Sequence, residues 1–234
     1  MNNRRVIFCR TIIFFMTILC VACSSEKAGL RELKKLCEKD AGLTVYKTVE
    51  ADGYYDGAQA GGALRVLVPS KFSFVEYCEL APNVASLFQE AGCWRLTKIA
   101  RDTGSCSEVI DNILWGSGLS GYVDYRENNC ILVDKLVKPM AKYAFNSSVK
   151  EWLGDDQVSG FRRVESYVEN FSTSELMGRY VSYSYSLKPG YAITKYCQNI
   201  DKKYLTYEEA RLIESVIKPR MEVSINSGDM GHDR

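Results

Sequence analysis

Tyr180-Val-Ser-Tyr-Ser-Tyr-Ser-Leu187 sets Val181, Tyr183, Tyr185 and Leu187 against Ser182, Ser184 and Ser186. Successive side chains of a strand point to opposite faces, so one side of this segment is apolar and aromatic while the other carries hydroxyls. Such period-two alternation specifies a half-buried antiparallel strand, because strands of a parallel sheet are covered on both faces and read as continuous apolar runs.

Helical signals lie toward the two ends of the chain. Leu30, Leu33, Leu36 and Cys37 share one helical stripe, Arg31, Glu32, Lys34 and Lys35 take the other side, and Gly42 supplies a stop. Near the C-terminus Thr206 and Glu209 form a capping-box pair, Ala210, Ile213 and Ile217 share a stripe, and Pro219 ends the helix. Between these ends Leu43–Val49, Ala63–Val68 and Trp94–Ala100 read as strands, and Asp52–Gly62 as an irregular loop. Pro82 opens a further helix carrying Val84, Leu87, Phe88 and Ala91 up to Gly92. From Asp102 to Gly160 periodicity is weak and Pro139 interrupts it, while Phe161–Phe171 fits either helix or strand. The fold class expected is α+β: an antiparallel sheet flanked by N- and C-terminal helices and stapled by disulfides. It forms a single domain over residues 29–219, followed by a disordered tail, 220–234.

At the N-terminus Arg4, Arg5 and Arg10 precede the uncharged, mostly apolar run Thr11–Ala22. A basic segment followed by a short apolar core is the pattern of an export signal, and the run falls short of the roughly 20 apolar residues that a spanning helix needs. Cys20-Val-Ala-Cys23 resembles the lipobox of bacterial lipoprotein precursors, with Cys20 standing where Leu is usual. The resemblance implies cleavage after Ala22, lipidation of Cys23 and a polar tether over residues 23–28. Ser24 takes the place where an Asp retains such proteins at the inner membrane. The implied address is therefore the periplasmic face of the outer membrane, and the membrane is the first expected partner.

Removal of residues 1–22 leaves 212 of 234 residues, enough for one domain with a real core. It also removes three of 30 basic residues, leaving 27 against 29 acidic ones, a net charge near −2. The basic residues are dispersed through the chain, whereas phosphate-backbone binding needs a clustered positive face, so no nucleic-acid partner is expected. Past Cys23 the chain carries Cys37, Cys78, Cys93, Cys106, Cys130 and Cys197. An even six in an oxidising compartment argues three disulfides, with about 15 connectivities open. No C-x-x-C occurs among them and the single histidine, His232, lies in the tail, so neither a metal nor a cofactor is expected.

Two stretches, Leu36-Cys-Glu-Lys-Asp-Ala-Gly-Leu-Thr-Val-Tyr-Lys-Thr-Val49 and Ser174-Glu-Leu-Met-Gly-Arg-Tyr-Val-Ser-Tyr183, resemble a group of small uncharacterised bacterial and prophage-associated lipoproteins. In that group a helix ending in Cys-x-Lys-Asp-x-Gly enters a Val-Tyr strand, and a later strand reads similarly to Glu175–Tyr183. The likeness brings no assigned activity. It implies a staple between its two segments, Cys37–Cys197. The other four then pair locally, Cys78–Cys93 across the Pro82 helix and Cys106–Cys130 across the glycine-rich run at Gly116.

No set of catalytic residues stands out. Gly116, Gly118 and Gly121 spell G-x-G-x-x-G, but a dinucleotide site needs a strand before and a helix after, whereas Tyr122–Asn129 reads as a strand running into a turn. A surface loop is the better reading. His232 is the only imidazole available to a nucleophile. Asp155-Asp156 and Glu208-Glu209 are adjacent pairs that point to different directions and read as solvated. Tyr183 and Tyr185 read as strand cover rather than a ligand surface. Asn146-Ser-Ser and Asn170-Phe-Ser match a glycosylation sequon, which is silent in a bacterial protein. The function expected is a non-enzymatic envelope binding protein, in a specific version an immunity or exclusion protein whose partner is an envelope, phage or toxin protein. The alternative is a carboxylate-dependent cell-wall or lipid hydrolase.

Overall fold

The computed structural model describes residues 27–58, 60–81, 87–88, 90–115, 122–154, 160–186, 194–197 and 205–220. Cys23, His232, the tail from 221, Asp155-Asp156 and the glycine run 116–121 lie outside them. The chain is α+β, with a mixed, mostly antiparallel strand arrangement and three disulfides. No helix among the described residues is long and apolar enough to cross a membrane. Two compact units share the chain: Met1–Lys47 with Ala144–Val216, and Thr48–Tyr143 with Ile217–Arg234.

In the first unit, helix α1 (27–40) runs into β1 (Gly42–Val45), and Gly42, at φ 117°, makes the turn between them that a Cβ would disfavour. Gly29, Leu33, Leu36 and Cys37 turn inward along α1, Leu33 being buried, while Arg31, Glu32, Lys34 and Lys35 are exposed. The long strands β7 (Tyr143–Leu153), β8 (Gly160–Asn170) and β9 (Leu176–Ser186) follow in the order β1-β9-β8-β7. β8 and β9 form an antiparallel hairpin in which Arg163 faces Tyr183 and Glu165 faces Val181. The opposite edge of β9 is shared end to end by β1, from Gly178 to Val181, and by β10 (Thr194–Tyr196), from Ser184 to Ser186.

Tyr180–Ser186 of the expected alternation sit in an antiparallel strand, Leu187 lying outside the described residues, and Ser182 is buried along with Tyr180, Val181 and Tyr183. Both faces of β9 are covered there. A Cβ on Gly29 would run into the Tyr185 ring, and one on Gly178 would stand 2.5 Å from Val216 Cγ2 of α5 (Leu205–Val216). Along α5 the buried residues are Leu212, Ile213 and Val216; the helix ends there, and Ile217, expected on its stripe, instead opens β11 (Ile217–Pro219). The side chains of Thr206 and Glu208 lie outside the described residues.

In the second unit, β3 (Gly53–Asp56) pairs parallel with β4 (Phe74–Glu79), which pairs antiparallel with β5 (Gly92–Ala100), and β5 with β6 (Asn129–Leu136). β2 (Val49–Ala51) and β11 make a separate parallel pair. The strand expected over Leu43–Val49 is therefore broken at residues 46–48, and the expected loop Asp52–Gly62 contains β3. Ala63–Val68, expected as a strand, falls on helix α2 (Ala60–Leu67). Ala63, Leu64, Val66, Leu67 and Val68 are all buried, and a short run buried on every side carries no period by which strand and helix differ. Lys98 of β5 closes that helix, donating from Nζ to the carbonyl oxygens of Ser70 at 2.6 Å and Val68 at 3.4 Å. Burial pushes its pKa below the ordinary lysine value.

The helix expected from Pro82 rests on residues 82–86 and 89, outside the described ones, and Leu87, Phe88 and Glu90 are bends. Cys78 and Cys93 pair directly across β4 and β5, so their staple joins neighbouring strands. The core on the other face of these strands is aromatic, with Trp94 stacked on Tyr77 at 5.4 Å and tilted to Phe88 at 5.1 Å. Glu76 is a fully buried charge with all its acceptor positions used. Its Oε1 takes Arg95 Nε at 2.9 Å and Nη2 at 2.5 Å, and its Oε2 takes the backbone N–H groups of Met140 and Ala141 at 2.7 and 2.8 Å. The connection bearing Pro139 is thereby pinned to the sheet.

Candidate functional site

The middle of the chain, the least legible from sequence, builds an open cleft. After β5 the chain makes a 3-10 turn, Arg101–Thr103, and reaches helix α3 (Glu108–Trp115), where Ser107 is the N-cap and its Oγ accepts from Ile110 N at 3.5 Å. Ile110 and Leu114 bury one side of α3. The next described element, α4 (Tyr122–Asn128), packs against the 3-10 turn and β6, and its Tyr125 is buried. This corrects the strand expected over Tyr122–Asn129: docking of Tyr125 outweighs the β-rich local composition. Cys106–Cys130 fastens the loop before α3 to the start of β6.

Arg101, Asp111, Asn112, Trp115, Arg126 and Glu127 line an open cleft of about 320 Å³. Arg101 grips Asp111 through two bonds, Nη1 to Oδ2 at 2.8 Å and Nη2 to Oδ1 at 3.4 Å. The Arg126 guanidinium lies 4.7 Å from the centroid of the Trp115 ring, a cation–π contact, while 70% of Trp115 stays exposed. None of these six residues stood out in the sequence, although Trp115 immediately precedes the glycine run at Gly116. The readable signal was an indole on a helix whose apolar spacing, Ile110 to Leu114, leaves it off the buried side.

A second polar cluster joins the two stretches that carry the lipoprotein resemblance. Tyr183 Oη donates to Asp40 Oδ1 at 2.6 Å, and Arg163 donates from Nε to Tyr183 Oη at 3.2 Å and from Nη2 to Asp40 Oδ2 at 3.5 Å. Arg163 Nη1 also meets Glu165 Oε2 at 2.5 Å, and Arg179 Nη1 approaches Glu165 Oε1 at 3.5 Å. The bond to Glu165, foremost, raises the Arg163 pKa; burial, then the bond to Asp40, raises that of Tyr183. Each charge here has a partner, and the cluster clasps the end of α1 to the β8–β9 hairpin. Cys37 and Cys197, bonded with Cα atoms 5.6 Å apart, lie in the same unit.

The other residues weighed in the sequence are occupied in the fold. Tyr183 and Tyr185 are buried on β9. Asn146 donates from Nδ2 to Glu169 Oε1 at 2.8 Å, and Asn170 Oδ1 accepts from Ser172 N at 3.1 Å in the hairpin turn. The glycines 116, 118 and 121 lie outside the described residues, and α3 stands before them where a dinucleotide fingerprint has a strand. Among the described residues no group of three or more His, Cys, Asp or Glu is placed to hold a metal ion. No family model matches this chain, and no curated protein and no solved structure does either.

Proposed function

We propose that this chain is the precursor of an envelope lipoprotein, tethered through Cys23 to the periplasmic face of the outer membrane, and that its exported part is a non-enzymatic binding protein. The exported part is read as a sheet flanked by N- and C-terminal helices, a reading that the contacts of Gly29 with Tyr185 and of Gly178 with Val216 support. Disulfides Cys37–Cys197, Cys78–Cys93 and Cys106–Cys130 support an oxidising compartment. The observation that carries the binding reading is the Trp115 cleft: an exposed indole held by Arg126, beside an Arg101–Asp111 pair engaged with itself. Groups so committed hold a ligand rather than move its protons. A role in immunity or exclusion at the envelope is the specific form of this reading, in keeping with the prophage-associated group.

The test is retention of envelope material by the immobilised, soluble Cys23→Ser form. The expected result is an envelope component released by competition with free protein. No retention, together with degradation of peptidoglycan or phospholipid by the pure protein, overturns the proposal. The hydrolase reading keeps one observation in its favour, since Asp111 and Glu127 both line the cleft. It requires Asp111→Asn and Glu127→Gln each to abolish such degradation.

A further inference from the structure

The walls of the cleft on the second unit narrow the chemistry of what enters it. Each of the six described side chains that line it ends in a planar group: two guanidiniums, two carboxylates, one carboxamide and one indole. Among the described lining residues the charges pair off, Arg101 and Arg126 against Asp111 and Glu127, so they present neither a basic nor an acidic wall. A phosphate or an acidic peptide would meet two carboxylates at contact, and a basic peptide two guanidiniums. What the wall does offer is a flat apolar face beside paired donors and acceptors. The volume of about 320 Å³ lies at the small end of the roughly 300–1,000 Å³ of small-ligand sites, and the cleft is open, so a longer chain can run through it.

We infer that this cleft binds a neutral oligosaccharide. A pyranose presents an apolar face of C–H groups, which lies against an indole, and a rim of vicinal hydroxyls that both donate and accept. The exposed ring of Trp115 is the platform, and its stack with Arg126 fixes the ring plane before a ligand arrives. Vicinal hydroxyls match groups with more than one donor or acceptor, which Glu127 and Asn112 provide as acceptors and Arg126 as donor, while Arg101 and Asp111 hold each other. The Arg101–Asp111 pair keeps the wall in place, since both side chains are about a third exposed or less and hold each other at 2.8 Å. This inference rests on the binding-protein reading and names the ligand class of the same cleft.

The experiment is calorimetric titration of the full chain, purified in a sugar-free detergent, with chitotetraose, cellotetraose and maltotetraose. Tetraglutamate and tetralysine serve as charged controls. Saturable binding of at least one tetrasaccharide is expected, with the preferred linkage separating a wall-type β-linked N-acetylhexosamine from an α-glucan source. Trp115→Ala should weaken it at least tenfold and Asn112→Ala about threefold, with thermal unfolding unchanged because both side chains are exposed. Absence of saturable binding for all three sugars overturns the inference. So does binding that survives both Trp115→Ala and Arg126→Ala, or preference for either charged peptide. Where the sugars fail but the Cys23→Ser form still retains envelope material, the cleft assignment falls and the binding-protein reading stands.

Discussion

Replacing Glu76 with alanine tests whether a single buried carboxylate organises the second unit. The side chain is 1% exposed and receives four bonds, two from Arg95 and one each from the backbone N–H groups of Met140 and Ala141. Arg95 is 31% exposed on its side chain and returns to water when its partner is removed. Met140, at 70% exposure, also finds water, but Ala141, at 6%, does not. One orphaned buried donor costs about 1–3 kcal/mol. Breaking a buried ion pair outright costs about 3–5 kcal/mol, and the partial exposure of Arg95 places this case near the lower end. The expected loss is about 3–4 kcal/mol for Glu76→Ala. Glu76→Gln costs about 2 kcal/mol, because the amide keeps one acceptor but turns an NH2 toward donors on the other side. Urea unfolding with the disulfides intact, followed by tryptophan fluorescence, should show the alanine midpoint falling by about 1–2 M. Amide exchange at Ala141 should accelerate in both variants. A Glu76→Ala protein within about 1 kcal/mol of the parent, or a glutamine variant less stable than the alanine one, refutes the argument.

Gly178→Ala should destabilise the first unit by about 1–3 kcal/mol, since the new methyl meets Val216 Cγ2 at 2.5 Å and the Thr44 carbonyl at 3.1 Å; adding Val216→Ala should recover part of the lost melting temperature. Lys98 has a folded pKa below the ordinary 10.5, so the unfolded chain keeps its proton to higher pH, and stability rises with pH through the window between the lowered value and 10.5. Lys98→Met should remove that rise, and equal pH slopes of urea midpoints in parent and variant between about pH 8 and 10 count against it. The double serine variant at Cys37 and Cys197, which close a separation of 160 residues, should lose about 5 kcal/mol in the chain-entropy model. The Cys78 and Cys93 pair, separated by 15, should lose about 3 kcal/mol, and the reverse order in urea denaturation contradicts the assignment.

Sequence period was informative where an element buries one face and misleading where it buries all of itself. The inward stripe of α1 and the strand β9 were readable because Leu33 and Tyr183 recur on a fixed spacing between polar neighbours. α2 was misread because Arg65 is the one exposed residue in Ala63–Val68, and a single polar position sets no period. β9 also held a surprise in Ser182, a hydroxyl read as solvent-facing that is buried on the strand's second covered face. The parallel pairing of β3 with β4 had no local signal, since a four-residue strand among glycines reads as a loop. The three disulfides were reachable through separation and the paired resemblance, and the strand pairing that sets Cys78 opposite Cys93 had no signal in the sequence. The cleft was invisible because its residues, from Arg101 to Glu127, are mostly polar, dispersed and without a repeat, and only the 3-10 turn, α3 and α4 together bring them to one wall.

The bond between Cys37 and Cys197 sets a timetable for the newborn chain. In a chain that enters an oxidising compartment N-terminus first, Cys37 arrives 160 residues ahead of Cys197. Through that interval α1 and β1 have been made but lack β9, the strand to which Gly42–Val45 pairs. Cys78, Cys93, Cys106 and Cys130 all precede Cys197 in the order of synthesis, and each is a chemically competent wrong partner for Cys37. Early closure of the two short loops withdraws those four thiols from competition. A chain whose local pairs are slow to oxidise is then exposed to scrambling at its first cysteine, and its yield depends on thiol–disulfide exchange before the last strand arrives.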